Sequence, residues 1–143
     1  MDKVKVAFVC VHNSCRSQMA EGFAKQLGSD VLEVFSAGTE TYAQIKPKAV
    51  KVMQEIGIDI SQQYPKLLED IPEELDYLIT MGCNVSCPFV PCKHKEDWGL
   101  EDPSGGALEG FRVTRNLIRD KVIDLIKRIS SQSGHISWGN NER

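Results

Sequence analysis

The sequence predicts an α/β domain, a four-stranded parallel sheet flanked by helices. Two observations predict it. Short apolar runs at Lys3–Val9, Val31–Ala37 and Leu75–Met81 alternate with helical patterns instead of following one another. The chain has 143 residues, 41% hydrophobic and 26% charged, which suits one core. Strands separated by helices pair in parallel through right-handed crossovers, and such sheets place their sites beyond the C-terminal strand ends. By that rule Cys10, the segment Gly82–Cys92 and the loop after Leu100 converge on one edge.

Each element has a local reason. Lys3–Val9 alternates and then becomes fully apolar, as a strand does when both of its faces become buried. Residues 10–16 are polar and turn-prone. From Ser17, apolar positions at Met19, Ala20, Phe23, Ala24 and Leu27 have helical spacing, and Gly28 suits the end of that helix. Val31–Ala37 is a second strand closed by Gly38. Pro47–Ile56 is a second helix, with proline in its first turn and Gly57 just past its end. Leu75–Met81 is the third strand, and Trp98–Leu100 is a candidate for a short fourth. Leu108–Ile129 carries a long amphipathic pattern through Phe111, Val113, Leu117, Ile118, Val122, Leu125, Ile126 and Ile129. Residues 1–130 are expected to form a single domain. The segment 131–143, rich in Ser, Gly and Asn, is expected to be a mobile tail.

The totals narrow the function. A formal net charge of -3 gives no basic face, which argues against nucleic acid as a partner. The apolar runs are far shorter than a membrane span, and the chain enters a strand-like run almost at once, with no sign of a signal peptide. Five cysteines, an odd number, argue against a structural disulfide framework. A cytoplasmic protein with reduced thiols is expected, with redox or metal chemistry as the interesting alternative. A small buried hydrophobe is the plainer reading of a cysteine, and it suits Cys15 best.

The segment Cys10-Val11-His12-Asn13-Ser14-Cys15-Arg16-Ser17 lies between a strand and a helix. A loop wrapped there turns successive backbone N–H groups toward a tetrahedral oxyanion, and the helix N-terminus adds its positive dipole end. Arg16 can bring a planar fork back over the loop to hold two oxygens. The same environment favours the Cys10 thiolate, the nucleophilic form, and Ser17 can donate a hydroxyl to it. The bare Cys-x5-Arg spacing arises easily by chance, so its weight comes from the strand before and the helix after. His12 is readily explained as a loop residue, and Asn13 as a residue that tolerates positive φ.

Val9–Gly22 (Val-Cys-Val-His-Asn-Ser-Cys-Arg-Ser-Gln-Met-Ala-Glu-Gly) resembles the opening signature of the thioredoxin-coupled arsenate reductases, which share the fold of the low-molecular-weight protein tyrosine phosphatases. Similarity continues at Ser36-Ala37-Gly38, Gly57-Ile58-Asp59-Ile60-Ser61 and Trp98-Gly99-Leu100-Glu101-Asp102-Pro103, and covers roughly residues 4–130. The resemblance implies reduction of arsenate to arsenite, begun by Cys10 on an oxyanion bound by residues 11–17. It gives Asp102, of the Asp-Pro pair, the part of general acid, although an isolated Asp-Pro is a common surface turn. It assigns Cys83 and Cys87 to a disulfide relay that ends on thioredoxin or a small-thiol reductant. It implies no cofactor. A potassium ion is held in some relatives by the equivalents of Asn13, Glu21, Ser36 and a later acidic residue. The first three are present here, but Gln62-Gln63-Tyr64-Pro65-Lys66 supplies no carboxylate.

The chain departs from that pattern. Its distal pair is Cys83-x3-Cys87, shorter than the family's usual spacing, and Cys92 follows closely. Two other functions therefore stand beside arsenate reduction. One is phosphatase action on phosphotyrosine, although Ser104-Gly105-Gly106 after Asp102-Pro103 supplies no aromatic wall for a phenyl ring. The other is a non-catalytic zinc- or arsenite-binding module built on Cys83, Cys87, Cys92 and His94.

Overall fold

The opening alternation becomes strand β1, Val4–Cys10, in the computed structural model, which describes residues 3–40, 43–82 and 90–138. Among the described residues the remaining elements are α1 (Arg16–Gly28), β2 (Leu32–Gly38), α2 (Pro47–Gln54), β3 (Leu75–Thr80), β4 (Cys92–Asp97) and α3 (Leu108–Trp138), with a 3-10 turn at Leu68–Asp70. The four strands form one parallel sheet in the order β2-β1-β3-β4, the predicted class. β1 is central. It pairs with β2 from Val4↔Leu32 to Cys10↔Gly38, and with β3 from Val6↔Tyr77 to Val9↔Thr80.

The change in β1 from alternating to fully apolar follows from its two covered faces. Val6, Phe8 and Cys10 point into the main core, with Met19 and Phe23 of α1, Val52 and Met53 of α2, and Phe111 of α3. Ala7 and Val9 point the other way, onto Ala37, Ile71, Leu75 and Leu78. On α3 the buried stripe is Phe111, Ile118, Val122, Leu125 and Ile129, a spacing close to two helical turns and then alternately four and three. Val113 and Leu117, expected in that stripe, lie on the opposite side and are 52% and 48% exposed. Successive residues are about 100° apart on a helix, so neither position can share the face of Phe111 and Ile118. The helix also runs past Ile129, where the apolar pattern ends, to Trp138.

The fourth strand sits earlier than the sequence suggests. It is Cys92-Lys93-His94-Lys95-Glu96-Asp97, not Trp98–Leu100. Among the described residues it pairs only with β3, from Leu75↔Cys92 to Thr80↔Asp97, and is an edge of the sheet. Charged side chains suit an edge because they discourage pairing with other chains. They also erase the hydrophobic signal by which strands are found. Arg128 of α3 ties this edge down by donating from Nη1 and Nη2 to the two oxygens of Glu96, each at 3.0 Å. Burial alone would raise the Glu96 carboxyl, but the Arg128 hydrogen bonds dominate, with help from Trp98 and His94, and hold it at about 2. Trp98 and Leu100 are the buried anchors that follow β4, through Trp98 N–H to Thr80 O at 2.8 Å and Leu100 N–H to Met81 O at 3.0 Å. Among the described residues no helix is long and apolar enough to cross a membrane.

Candidate active site at the end of the central strand

β1 stops at Cys10 and α1 starts at Arg16, leaving a tight loop whose shape Asn13 fixes. Asn13 has φ +54, a conformation asparagine accepts with little strain. It is fully buried, and its side chain is used at both ends. Nδ2 donates to Ser17 Oγ at 2.6 Å, and Oδ1 accepts from the Lys66 amide and from Gln18 Nε2, both at 2.9 Å. Gln18 is itself held by Gln63 Nε2, at 2.7 Å from its Oε1. Ser17 Oγ lies 2.9 Å from Cys10 Sγ. Since Asn13 already donates to that hydroxyl oxygen, the hydroxyl proton is available to point at the sulfur and stabilise a thiolate.

The back of the loop is bonded outward. The carbonyls of Cys10, Val11 and Ser14 accept from Thr39, Glu40 and Lys46 amides at 3.3, 2.9 and 2.8 Å. In a trans peptide the following N–H points opposite to its carbonyl, so the amides of Val11, His12 and Cys15 face the other side. Gly38 permits this approach. A Cβ there would lie 2.6 Å from Val11 O and 2.8 Å from the His12 carbonyl carbon, both backbone atoms that cannot step aside. The sequence marked Gly38 as a strand end and as part of the Ser36-Ala37-Gly38 resemblance, but its packing against the loop was not legible there.

Arg16 is buried and held from behind. Its Nη1 donates to Met81 O at 3.1 Å and Leu100 O at 2.9 Å, while Nη2 is 3.8 Å from Asp102 Oδ2. Its Nε is buried with no hydrogen-bond partner among the described residues. An unpaired buried donor costs about 1–3 kcal/mol, so native proteins rarely keep one without a use. The Nε and Nη2 edge is the fork that matches two oxygens of an oxyanion. The two carbonyls behind Arg16 come together because Gly82, at φ +84, passes Gly99 so closely that a Cβ would sit 2.6 Å from its Cα. Gly82 and Gly99 are site-building residues that sequence reasoning missed. Gly82 is required by its close approach and its positive φ, Gly99 by its positive φ, and neither shows before folding.

Asp102 follows Leu100 and is half-exposed, with its Oδ1 accepting from the Ser104 amide at 3.0 Å. Burial pushes its carboxyl up, but the Ser104 hydrogen bonds and the charges of Arg16 and Lys46 together hold it below the ordinary aspartate range. Cys15 is a different kind of thiol from Cys10. Burial, and then the charges of Asp102 and Cys10, push it far up, so it stays protonated and serves as core. His12 faces outward, with Nε2 3.2 Å from the Glu40 carboxylate.

Beneath the loop, the Glu21 carboxylate accepts from the Ser36 hydroxyl. It also has Lys25 Nζ at 2.6 Å and Lys66 Nζ at 3.6 Å. With two ammonium groups on the carboxylate, and Asn13 Oδ1 already bonded to Lys66 and Gln18, the donor set does not fit a potassium ion. Cys83 and Cys87 lie outside the described residues. Cys92 is partly exposed at the start of β4, and His94 there is bonded to Glu96 at 2.9 Å, with its ring 5.0 Å from that of Tyr77. Among the described residues no group of three metal-ligating side chains occurs.

Comparison with known proteins accords with this geometry. The family described as low molecular weight phosphotyrosine protein phosphatase matches residues 5–134. A glutaredoxin arsenate reductase of Synechocystis sp. is 46% identical over 130 residues, covering 88% of this chain and 98% of that protein. A solved structure of an arsenate reductase in the phosphate binding state superposes with a TM-score of 0.81 at 45% identity, covering 88% of this chain and 98% of that one. A Corynebacterium glutamicum thioredoxin-dependent arsenate reductase superposes with a TM-score of 0.75 at 32% identity, covering 91% and 63%.

Proposed function

We propose that this chain, which belongs to the low molecular weight phosphotyrosine protein phosphatase family, reduces arsenate to arsenite. The observation that carries this reading is its 46% identity, over nearly the whole of both chains, to a protein named an arsenate reductase. The site supplies compatible chemistry. Loop amides and the Arg16 fork bind the oxyanion, and Ser17 steadies the Cys10 thiolate. That thiolate attacks arsenic(V) and forms an S–As bond, while one arsenic-bound oxygen leaves as water after accepting a proton from Asp102. Asp102 is ionised in the free protein, so the proton it passes on arrives with the partly protonated arsenate.

A second thiolate, Cys83, then attacks Cys10 Sγ. The S–As bonding pair stays on arsenic, which becomes arsenic(III) and departs as arsenite, and the two sulfurs are oxidised to a disulfide. Cys87 attacks Cys83, frees Cys10 and carries the bond as Cys83–Cys87. An external thiol, thioredoxin or a small thiol working with a glutaredoxin, restores both cysteines. The names of the Synechocystis and Corynebacterium relatives support a thiol donor of this kind. Phosphotyrosine hydrolysis is less well supported, because the turn after Asp102-Pro103 is Ser104-Gly105-Gly106, with no aromatic side chain to hold a phenyl ring.

Asp102→Asn tests the acid step. Asn keeps the shape but has no proton to give. The single-turnover rate of arsenite release is expected to fall about 10²–10⁴-fold while inhibition by inorganic phosphate changes little. An unchanged single-turnover rate would leave Asp102 as a turn residue only.

A further inference from the structure

The proposed acid, Asp102, lies on a turn next to the anion loop, with its Oδ2 3.8 Å from Arg16 Nη2. The turn is closed by two hydrogen bonds of its own. Asp102 Oδ1 accepts from the Ser104 amide, and the Gly106 amide donates to Pro103 O at 2.9 Å, with Gly105 at φ +87 between them. These two hydrogen bonds link Gly106 to Asp102 through the turn, so a hold on Gly106 bears on where Asp102 sits. Lys48, the second residue of α2, holds it. Its Nζ donates to Gly106 O at 2.7 Å and lies 6.0 Å from the centre of the buried Phe111 ring.

Lys48 is badly placed for its own helix. A cation in the first turn opposes the helix dipole, and α2 has no acidic residue there to offset it. A residue that breaks a local rule commonly serves a contact elsewhere. Two residues earlier, the Lys46 amide donates to Ser14 O of the anion loop at 2.8 Å. The start of α2 therefore touches the nucleophile's loop at one residue and the acid's turn at another.

We propose that the first turn of α2 is a brace that sets Asp102 against the anion loop, with Lys48 as its positioning residue. The inference rests on the acid role given to Asp102 above. Lys48 touches neither substrate nor reacting atoms. It acts by shortening the range of positions the Asp102 turn explores, and proton transfer is sensitive to that range because misplacement by about 1 Å can cost on the order of 10²-fold.

Lys48→Met keeps a flexible apolar stem beside Phe111 and removes the donor. The single-turnover rate of arsenite release is expected to drop roughly tenfold, a part of that full misplacement cost. Inhibition by inorganic phosphate should shift less than about twofold, because the loop and Arg16 are untouched. Lys48→Arg, which can still reach a carbonyl, should recover most of the rate. In an Asp102→Asn background Lys48→Met should add less than about twofold, since there is no acid left to position. Equal losses from Lys48→Met with and without Asp102 would overturn the brace, as would a wild-type rate in Lys48→Met. A slow Asp102→Asn with a fast Lys48→Met would remove the brace and leave the acid standing. A fast Asp102→Asn would remove both.

Discussion

Cys10→Ser is expected to abolish arsenate reduction, with turnover falling on the order of 10⁴-fold or more, as when a covalent nucleophile is deleted. The hydroxyl cannot do the same chemistry for two independent reasons. A serine hydroxyl is not ionised near neutrality, and its neighbour Ser17, 2.9 Å away, is a hydrogen-bond donor rather than a base. Even an oxygen–arsenic adduct could not pass two electrons to arsenic, because that step requires a sulfur that ends in a disulfide. The fold should survive, since Ser is nearly the same size and can bond to Ser17. Arsenite formation, measured beside phosphate binding and circular dichroism, checks this. A folded, phosphate-binding variant that makes no arsenite is the expected result, and substantial steady-state reduction would remove Cys10 from the nucleophile role.

Arg16→Lys should fail almost as badly. The guanidinium does two jobs at once. Nη1 satisfies the buried carbonyls of Met81 and Leu100, and the unpaired Nε, with Nη2, is the edge proposed above to hold the oxyanion. A lysine ammonium is a point charge with three donors and cannot hold two carbonyls and a two-oxygen fork together. Leaving one buried carbonyl unpaired costs about 1–3 kcal/mol, so the variant should also melt earlier. The expected kcat/KM loss is about 10³-fold, from the fork and from the displaced carbonyls combined. Near-normal turnover in Arg16→Lys would show that the fork does not matter.

How much of this was written in the residues depends on which physics each part obeys. β1 and α1 were legible because burial on both faces of a strand, and on one face of a helix, leaves a periodic trace. The loop between them was legible from its place, a Cys-x5-Arg-Ser segment between a buried strand and a helix. β4 was not, since an edge strand that avoids aggregation replaces its apolar trace with Lys93, Lys95 and Glu96. Val113 and Leu117 misled for a simpler reason: they are apolar but fall off the stripe. Gly38 and Gly82 were invisible as site residues, because their role is the room they leave for backbone brought from far along the chain, and Gly99 because its role is a positive φ. Lys48 was hidden likewise, its partner Gly106 being 58 residues away.

The most direct test of the central claim is a single turnover without any external reductant. The fully reduced protein is mixed with excess arsenate, quenched, and analysed for arsenite, free thiols and disulfide position. One arsenite per chain, two thiols lost, and a disulfide mapped between Cys83 and Cys87 with Cys10 again free is the result predicted. Arsenite formed with the bond instead at Cys92 would reassign the relay and leave the reductase standing. No arsenite, with all five thiols intact and arsenate merely bound, would contradict the account.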